Sequence, residues 1–189
     1  MTNPTRNKSE FISVLREFLS HGLLDKGEVV RWADKEIAAA DQPDDYLIGL
    51  SLTGTKTTNE VIDLLGSFME ETRSLSTGRA IIGLTWGLIK TKAVDYKKGM
   101  EVIYAANLQF PLGDIESKFI YQADSGLDLA VQNIWGEQGE LEKEIAGFLG
   151  CYEGFSFDNA DDWDRLAMEV DNKLDTWIHA GGRTTPKDV

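Results

Sequence analysis

The residues best suited to chemistry in this chain are carboxylates. The segment Asp158-Asn159-Ala160-Asp161-Asp162-Trp163-Asp164 carries four of them in seven positions. A row of carboxylates has two uses: holding a divalent cation, or attracting a positively charged surface. A calcium loop needs oxygens at alternate positions and a glycine at the sixth, and no register of this segment supplies both. Asp158 or Asn159 as a helix N-cap, with acids in the first turn, accounts for the composition without a metal. Glu137, Glu140, Glu142 and Glu144 form a second run, and acids there also complement a helix dipole. If both helices begin at one rim, Glu137, Glu140, Glu144, Asp158, Asp161, Asp162 and Asp164 form a partner-binding surface. Packing direction decides that.

The other reactive side chains are few. His21 and His179 each follow an acid by four positions, as Glu17…His21 and Asp175…His179. Helical di-iron sites use Glu-x-x-His, a different spacing. A surface ion pair near a helix C-terminus explains both histidines. Two histidines and one cysteine are too few for a structural zinc site. Cys151 has no histidine near it in sequence and reads as a small buried hydrophobe. There is no GxxxxGK[ST], no GxGxxG and no His-Glu-x-x-His. No cofactor and no metal is expected. Of the five tryptophans, Trp32, Trp86, Trp163 and Trp177 read as core. Trp135, followed by Gly136, is the candidate for an exposed anchor.

Charge sets the class of partner. The chain has 32 acidic and 19 basic side chains, a net charge of -13, and a sequence pI of about 4.5. Residues 137–175 hold twelve acids and three bases, a net of -9 within that stretch. Such a field repels nucleic acid and anionic lipid and attracts basic proteins. The single cysteine fits a reducing compartment. The N-terminal residues lack the apolar stretch of a signal peptide. The longest apolar run, Ala80 to Ile89, is ten residues and is interrupted by Thr85, where a membrane span needs about twenty. A cytoplasmic protein is expected.

The elements that must position these groups read as helices throughout, with no sustained alternation of period two. Ser9 is expected to open the first helix, with Phe11, Ile12, Leu15, Phe18 and Leu19 on one stripe and Gly22 as a left-handed cap. A second helix spans about Asp25 to Ala40, and Pro43 stops the chain and suits the first turn of a short third one with Tyr46, Leu47, Leu50 and Leu52. Thr57-Thr58-Asn59-Glu60 is a capping box. Ser74 to Gly78 reads as a loop. Arg79 to Lys92 is apolar nearly all round, which places it at the centre of the fold; a buried strand is the rival reading. Gly83 and Gly87 would let a neighbouring backbone approach it. Asp95 caps the next helix. Ile115, Phe119, Ala123, Leu127, Ala130 and Ile134 repeat at threes and fours, with Ser125-Gly126 as a break. Two more helices follow, around Leu141 to Tyr152 and Trp163 to Ile178. The expectation is an all-α protein of eight or nine helices, in antiparallel hairpins around a buried central helix. Residues 9–180 would form one domain between a flexible N-terminus (1–8) and a flexible tail (181–189).

The segment Val29-Val30-Arg31-Trp32-Ala33-Asp34-Lys35-Glu36-Ile37, with Pro43 and Tyr46-Leu47-Ile48-Gly49-Leu50-Ser51-Leu52, resembles the opening of small all-helical bacterial proteins found beside polymorphic toxins, immunity proteins among them. The resemblance covers about a quarter of the chain and carries over no functional residue. It implies a cytoplasmic inhibitor that binds a cognate toxin domain. An acidic surface agrees with that, because nuclease toxins present basic clefts. The alternatives are a helical adaptor with another partner and an enzyme that uses carboxylates with Mg²⁺.

Overall fold

The computed structural model describes residues 4–68, 73–132, 134 and 137–181, and the chain divides into two compact units, Met1–Thr72 and Arg73–Val189. Among the described residues there are nine α-helices, a few 3₁₀ turns and no strand. None of these helices is long and apolar enough to cross a membrane.

The first unit holds α1 (Pro4–Ser20), α2 (Lys26–Ala39), α3 (Asp45–Ser51) and α4 (Thr58–Ser67). The first helix starts at Pro4, five residues before the expected Ser9. A proline in the first turn lacks only an amide that has no intrahelical partner there. Gly22 takes the expected left-handed conformation, φ 69°, and the Leu23 amide closes back on the Phe18 carbonyl at 2.8 Å. Two reciprocal caps fix the starts of α2 and α4. The Glu28 amide donates to the Asp25 carboxylate at 3.0 Å, and the Asp25 amide to the Glu28 carboxylate at 2.8 Å. The Glu60 amide donates to Thr57 Oγ1 at 3.3 Å, and the Thr57 amide to the Glu60 carboxylate at 2.8 Å. The apolar stripe of α1 is buried as expected, α1 packs on α4, and α2 on α3. Trp32 is half-buried against Phe11, ring centroids 4.8 Å apart. Leu52 is not core: it lies in the 3₁₀ turn after α3 and is exposed.

The second unit holds α5 (Leu75–Lys90), α6 (Tyr96–Gln109), α7 (Asp114–Val131), α8 (Gln138–Leu149) and α9 (Trp163–His179). The apolar run is a helix, not a strand, and it begins earlier than expected. Ser74 is its N-cap, accepting from the Thr77 amide at 3.1 Å, so residues 75–78 are its first turn and not a loop. Residues 76–86 are buried without a break. Gly83 meets the close approach foreseen for it: a Cβ there would lie 2.7 Å from both the Tyr152 carbonyl oxygen and the Phe155 ring. Gly87 faces open space. Asp95 caps α6, accepting from the Lys98 amide at 2.7 Å. The expected break at Ser125-Gly126 is absent. α7 runs through it, because Gly126 faces Leu141 of α8 at a helix–helix contact. Phe119, Ala123, Leu127 and Ala130 are buried, while Ile115 and Ile134 at the ends of that stripe are exposed.

Candidate functional site

The four aspartates sit on the 3₁₀ turn Phe157–Asp162 and the first turn of α9. Apolar anchors hold this corner from beneath. Trp163 is buried and its Nε1 donates to the Ser156 carbonyl at 3.1 Å; Phe155 is buried beside Gly83. Asp158, Asp161 and Asp162 are exposed and Asp164 is half-buried. Neither Asp158 nor Asn159 caps α9, contrary to the sequence reading. Asn159 instead ties the preceding loop, accepting from the Ser156 amide at 2.9 Å and donating to the Gly154 carbonyl at 2.8 Å. α9 begins at Trp163 without a side-chain cap.

Within this set the charges are unevenly matched. Asp162 pairs with Arg165 at 3.3 Å, and Arg165 also reaches Glu169 at 2.5 Å. The carboxylates of Asp158, Asp161 and Asp164 make no hydrogen bond or ion pair with a described residue. Positions 164, 168, 171 and 175 follow one another by three and four, one stripe along α9, and Asp161 lies in the 3₁₀ turn just before it. Asp161, Asp171 and Asp175 are exposed, and Met168 stands in the stripe with 67% of its surface exposed. Among the described residues no group of three or more His, Cys, Asp or Glu side chains converges in a way that could hold a metal ion. The arrangement is a fan of carboxylates around an exposed apolar side chain.

The structure does not bring the second acidic run to this place. Phe148 near the end of α8 lies against Trp177 near the end of α9, ring centroids 5.7 Å apart. From there the chain passes back along α9: Lys173 Nζ donates to the Glu153 carbonyl at 3.2 Å, and Trp163 to that of Ser156. The start of α8 points the other way, with Leu141 against Gly126, while Phe119, earlier in α7, meets Phe148 and Trp177. Glu137 and Glu140 thus lie toward the C-terminal end of α9, and the aspartates at its N-terminal end. The 17 residues of α9 span about 25 Å. Glu137 is exposed, Glu140 pairs with Lys143 at 2.6 Å, and Glu144 is half-buried on the same helix.

Sequence reasoning missed the charges at the heart of this unit. The Arg79 guanidinium donates from Nε to Glu116 Oε1 at 3.0 Å and from Nη2 to Glu116 Oε2 at 2.9 Å. It also donates from Nη2 to Asp171 at 2.5 Å and from Nη1 to the Ala167 carbonyl. Glu116 accepts two further hydrogen bonds, from the Tyr152 hydroxyl and the Gly113 amide, both at 2.8 Å. Burial alone would weaken protonation of Arg79, but Glu116 and Asp171 outweigh it and hold the guanidinium more firmly protonated than usual. Burial, reinforced by the negative Glu116, pushes the Tyr152 phenol well above its ordinary range. The signal was one arginine inside an apolar run: such a charge must be paired within the fold. The network ties α5, α7 and residue 152 to α9, and so sets the orientation of the acidic stripe.

The remaining candidates stay separate. Cys151 is buried, and burial raises its thiol pKa. His21 lies 3.7 Å from the Glu17 carboxylate, the expected helix-end pair. His179 meets the Asp175 backbone carbonyl through Nδ1 at 2.7 Å, instead of its carboxylate. Trp135 and Gly136 lie outside the described residues. No protein-family model, curated protein or solved structure matches this chain.

Proposed function

We propose that this chain is a protein-binding inhibitor of the immunity type, acting in the bacterial cytoplasm, which neutralises a basic toxin domain by covering its active site. The observation that carries the reading is the edge at the start of α9. There the carboxylates of Asp158, Asp161 and Asp164 have no hydrogen-bond or ion-pair partner among the described residues, and Met168 stands exposed beside them. Interfaces of this kind combine an apolar anchor with charges that choose the partner. A toxin that cleaves nucleic acid carries a cationic cleft, and an acidic edge imitates its substrate's backbone in sign. A second acidic set at the far end of α9 extends the field without joining the contact.

The test is inhibition. The chain is immobilised, basic proteins are recovered from the native host, and the captured protein is assayed with the soluble chain added back. The reading expects a stoichiometric complex and loss of the captured protein's activity. Saturating complex formation with full activity retained would exclude inhibition and favour the adaptor reading.

A further inference from the structure

A second surface lies on the outer seam between α6 and α7, away from the acidic edge of α9. Two observed pairs set its register. Lys97 Nζ is 3.1 Å from Asp128 Oδ1, and the rings of Tyr104 and Tyr121 lie 6.3 Å apart. Moving seven residues up α6 moves seven down α7, so the helices run in opposite directions along the seam. The rungs between and beyond follow: Glu101 opposite Asp124, and Leu108 beyond Tyr104. On α6, residues 97, 101, 104 and 108 share one face, and on α7 residues 121, 124 and 128 do.

Two features of this seam do nothing for the fold of the chain alone. Leu108 is 68% exposed and Tyr121 59%, large apolar surfaces side by side with the half-buried Tyr104. Next to them Glu101 and Asp124 set two carboxylates against each other. Two like charges held close together repel. The Asp124 carboxylate makes no hydrogen bond or ion pair with a described residue, and burial, with Asp128 and Glu101 nearby, raises its pKa, an effect that Lys97 offsets only in part. Lys97 is engaged by Asp128, and Lys98 lies 3.5 Å from Glu101 on the exposed side. A cation supplied from outside would relieve what the chain leaves unbalanced.

We propose that the α6–α7 seam docks a basic amphipathic helix of a partner protein, with one lysine or arginine between Glu101 and Asp124 and apolar side chains over Tyr104, Leu108 and Tyr121. A pair of helices offers a groove that a third helix fills through anchors at threes and fours. Tyrosine faces also attract the cation itself. The occupant is a basic partner and not a second copy, because a copy would bring another net charge of -13 to an acidic seam. The inference deepens the protein-binding reading but uses a different face, so each can fail alone.

The probe is a fluorescein-labelled synthetic helix of lysine and leucine, about 18 residues or five turns long. A twin with glutamate replacing lysine is the control. Anisotropy and ¹⁵N chemical shifts are read on the full chain. Saturable one-to-one binding of the lysine peptide is expected, with the largest shifts over residues 97–108 and 117–128. Glu101→Gln with Asp124→Asn should weaken it about tenfold, the loss of a close charge contact. Thermal stability should not fall in that variant, because a repulsion is removed; a group needed only for folding would lower it. Leu108→Ser with Tyr121→Ala should weaken binding as well. Asp161→Asn, Asp162→Asn and Asp164→Asn together should leave peptide affinity within about twofold, since those charges act only at long range. The proposal is overturned by equal binding of the glutamate twin, by shifts confined to α9, by unchanged affinity in the carboxamide variant, or by self-association through the seam in sedimentation.

Discussion

Arg79 and Glu116 meet as a two-point ion pair at 3.0 and 2.9 Å, with each side chain only 2% exposed. They are 37 residues apart, on α5 and α7. Taking two charges out of water costs several kcal/mol each, and attraction offsets this only when every lone pair and proton finds a partner. Here the Tyr152 hydroxyl, the Gly113 amide, the Ala167 carbonyl and Asp171 complete the set. The pair works as a positional pin: α7 cannot shift along α5 without stranding a buried charge, and a shift of α9 would take the Ala167 carbonyl and Asp171 away from Arg79.

Removing one partner should therefore be much worse than removing both. Arg79→Met leaves Glu116 buried without its cation and should lower unfolding free energy by about 3–5 kcal/mol. The double variant Arg79→Met with Glu116→Leu should lose less than either single change, a positive coupling in a urea-unfolding cycle. Additive losses would show that the two side chains do not act as a unit.

Tyr152 makes the pin sensitive to alkali. A phenol whose folded pKa is raised contributes stability that is complete below its unfolded pKa of about 10 and is lost as pH rises toward the folded value. Wild-type stability should fall above about pH 10 partly for this reason. Tyr152→Phe should cost about 2 kcal/mol at pH 7, for a hydrogen bond to a charged acceptor, and should flatten the alkaline fall. Unfolding curves at both pH values check it.

Two glycines on α5 separate packing from helix propensity. A Cβ on Gly83 would lie 2.7 Å from the Tyr152 carbonyl oxygen, while one on Gly87 would meet nothing within 4 Å. Gly83→Ala should therefore destabilise by about 1–3 kcal/mol through overpacking. Gly87→Ala should stabilise by about 0.5–1 kcal/mol through lower chain entropy in the unfolded state. Thermal melts of the two variants should move in opposite directions.

What was legible in the sequence follows from range. The Thr57–Glu60 box, the Asp95 cap, the Gly22 terminus and the buried stripes of α1 and α7 are set by neighbours three or four positions away, and periodicity exposes them. The character of Arg79 to Lys92 as a helix was legible only as one of two readings, because a run that is apolar all round has no stripe to choose between them. Ser74 was read as a loop because three polar residues in Ser74, Ser76 and Thr77 hide the first turn of a buried helix. The Arg79 network joins residues 37 and 92 positions apart, and no local pattern records such a distance. The same holds for the two acidic runs. Their composition was plain, but their placement at opposite ends of α9 depends on how the chain folds back from Phe148 to Ser156.

The acidic edge and Met168 should act on different rates. Charges at a rim steer the encounter and are screened by salt, so they set the association rate. An apolar side chain seated in a partner's pocket acts after contact and sets the dissociation rate. With the partner recovered from the host, neutralising Asp158, Asp161, Asp162 and Asp164 to Asn should slow association about tenfold or more at low salt and flatten its salt dependence. Dissociation should change little. Met168→Ser should do the reverse, with faster dissociation and an unchanged salt slope. Asp162 stands at the N-cap position of α9 but its side chain makes no cap hydrogen bond, so the quadruple variant should keep its fold, and circular dichroism confirms that first. Glu140→Gln with Glu144→Gln serves as the distant control: at the other end of α9, that pair should alter association less than the four aspartates do. Stopped-flow and surface-binding kinetics separate the two rates. If the aspartate variant associates as fast as the wild type at low salt, the edge is a solvated surface, and the inhibitor contacts its partner through another face.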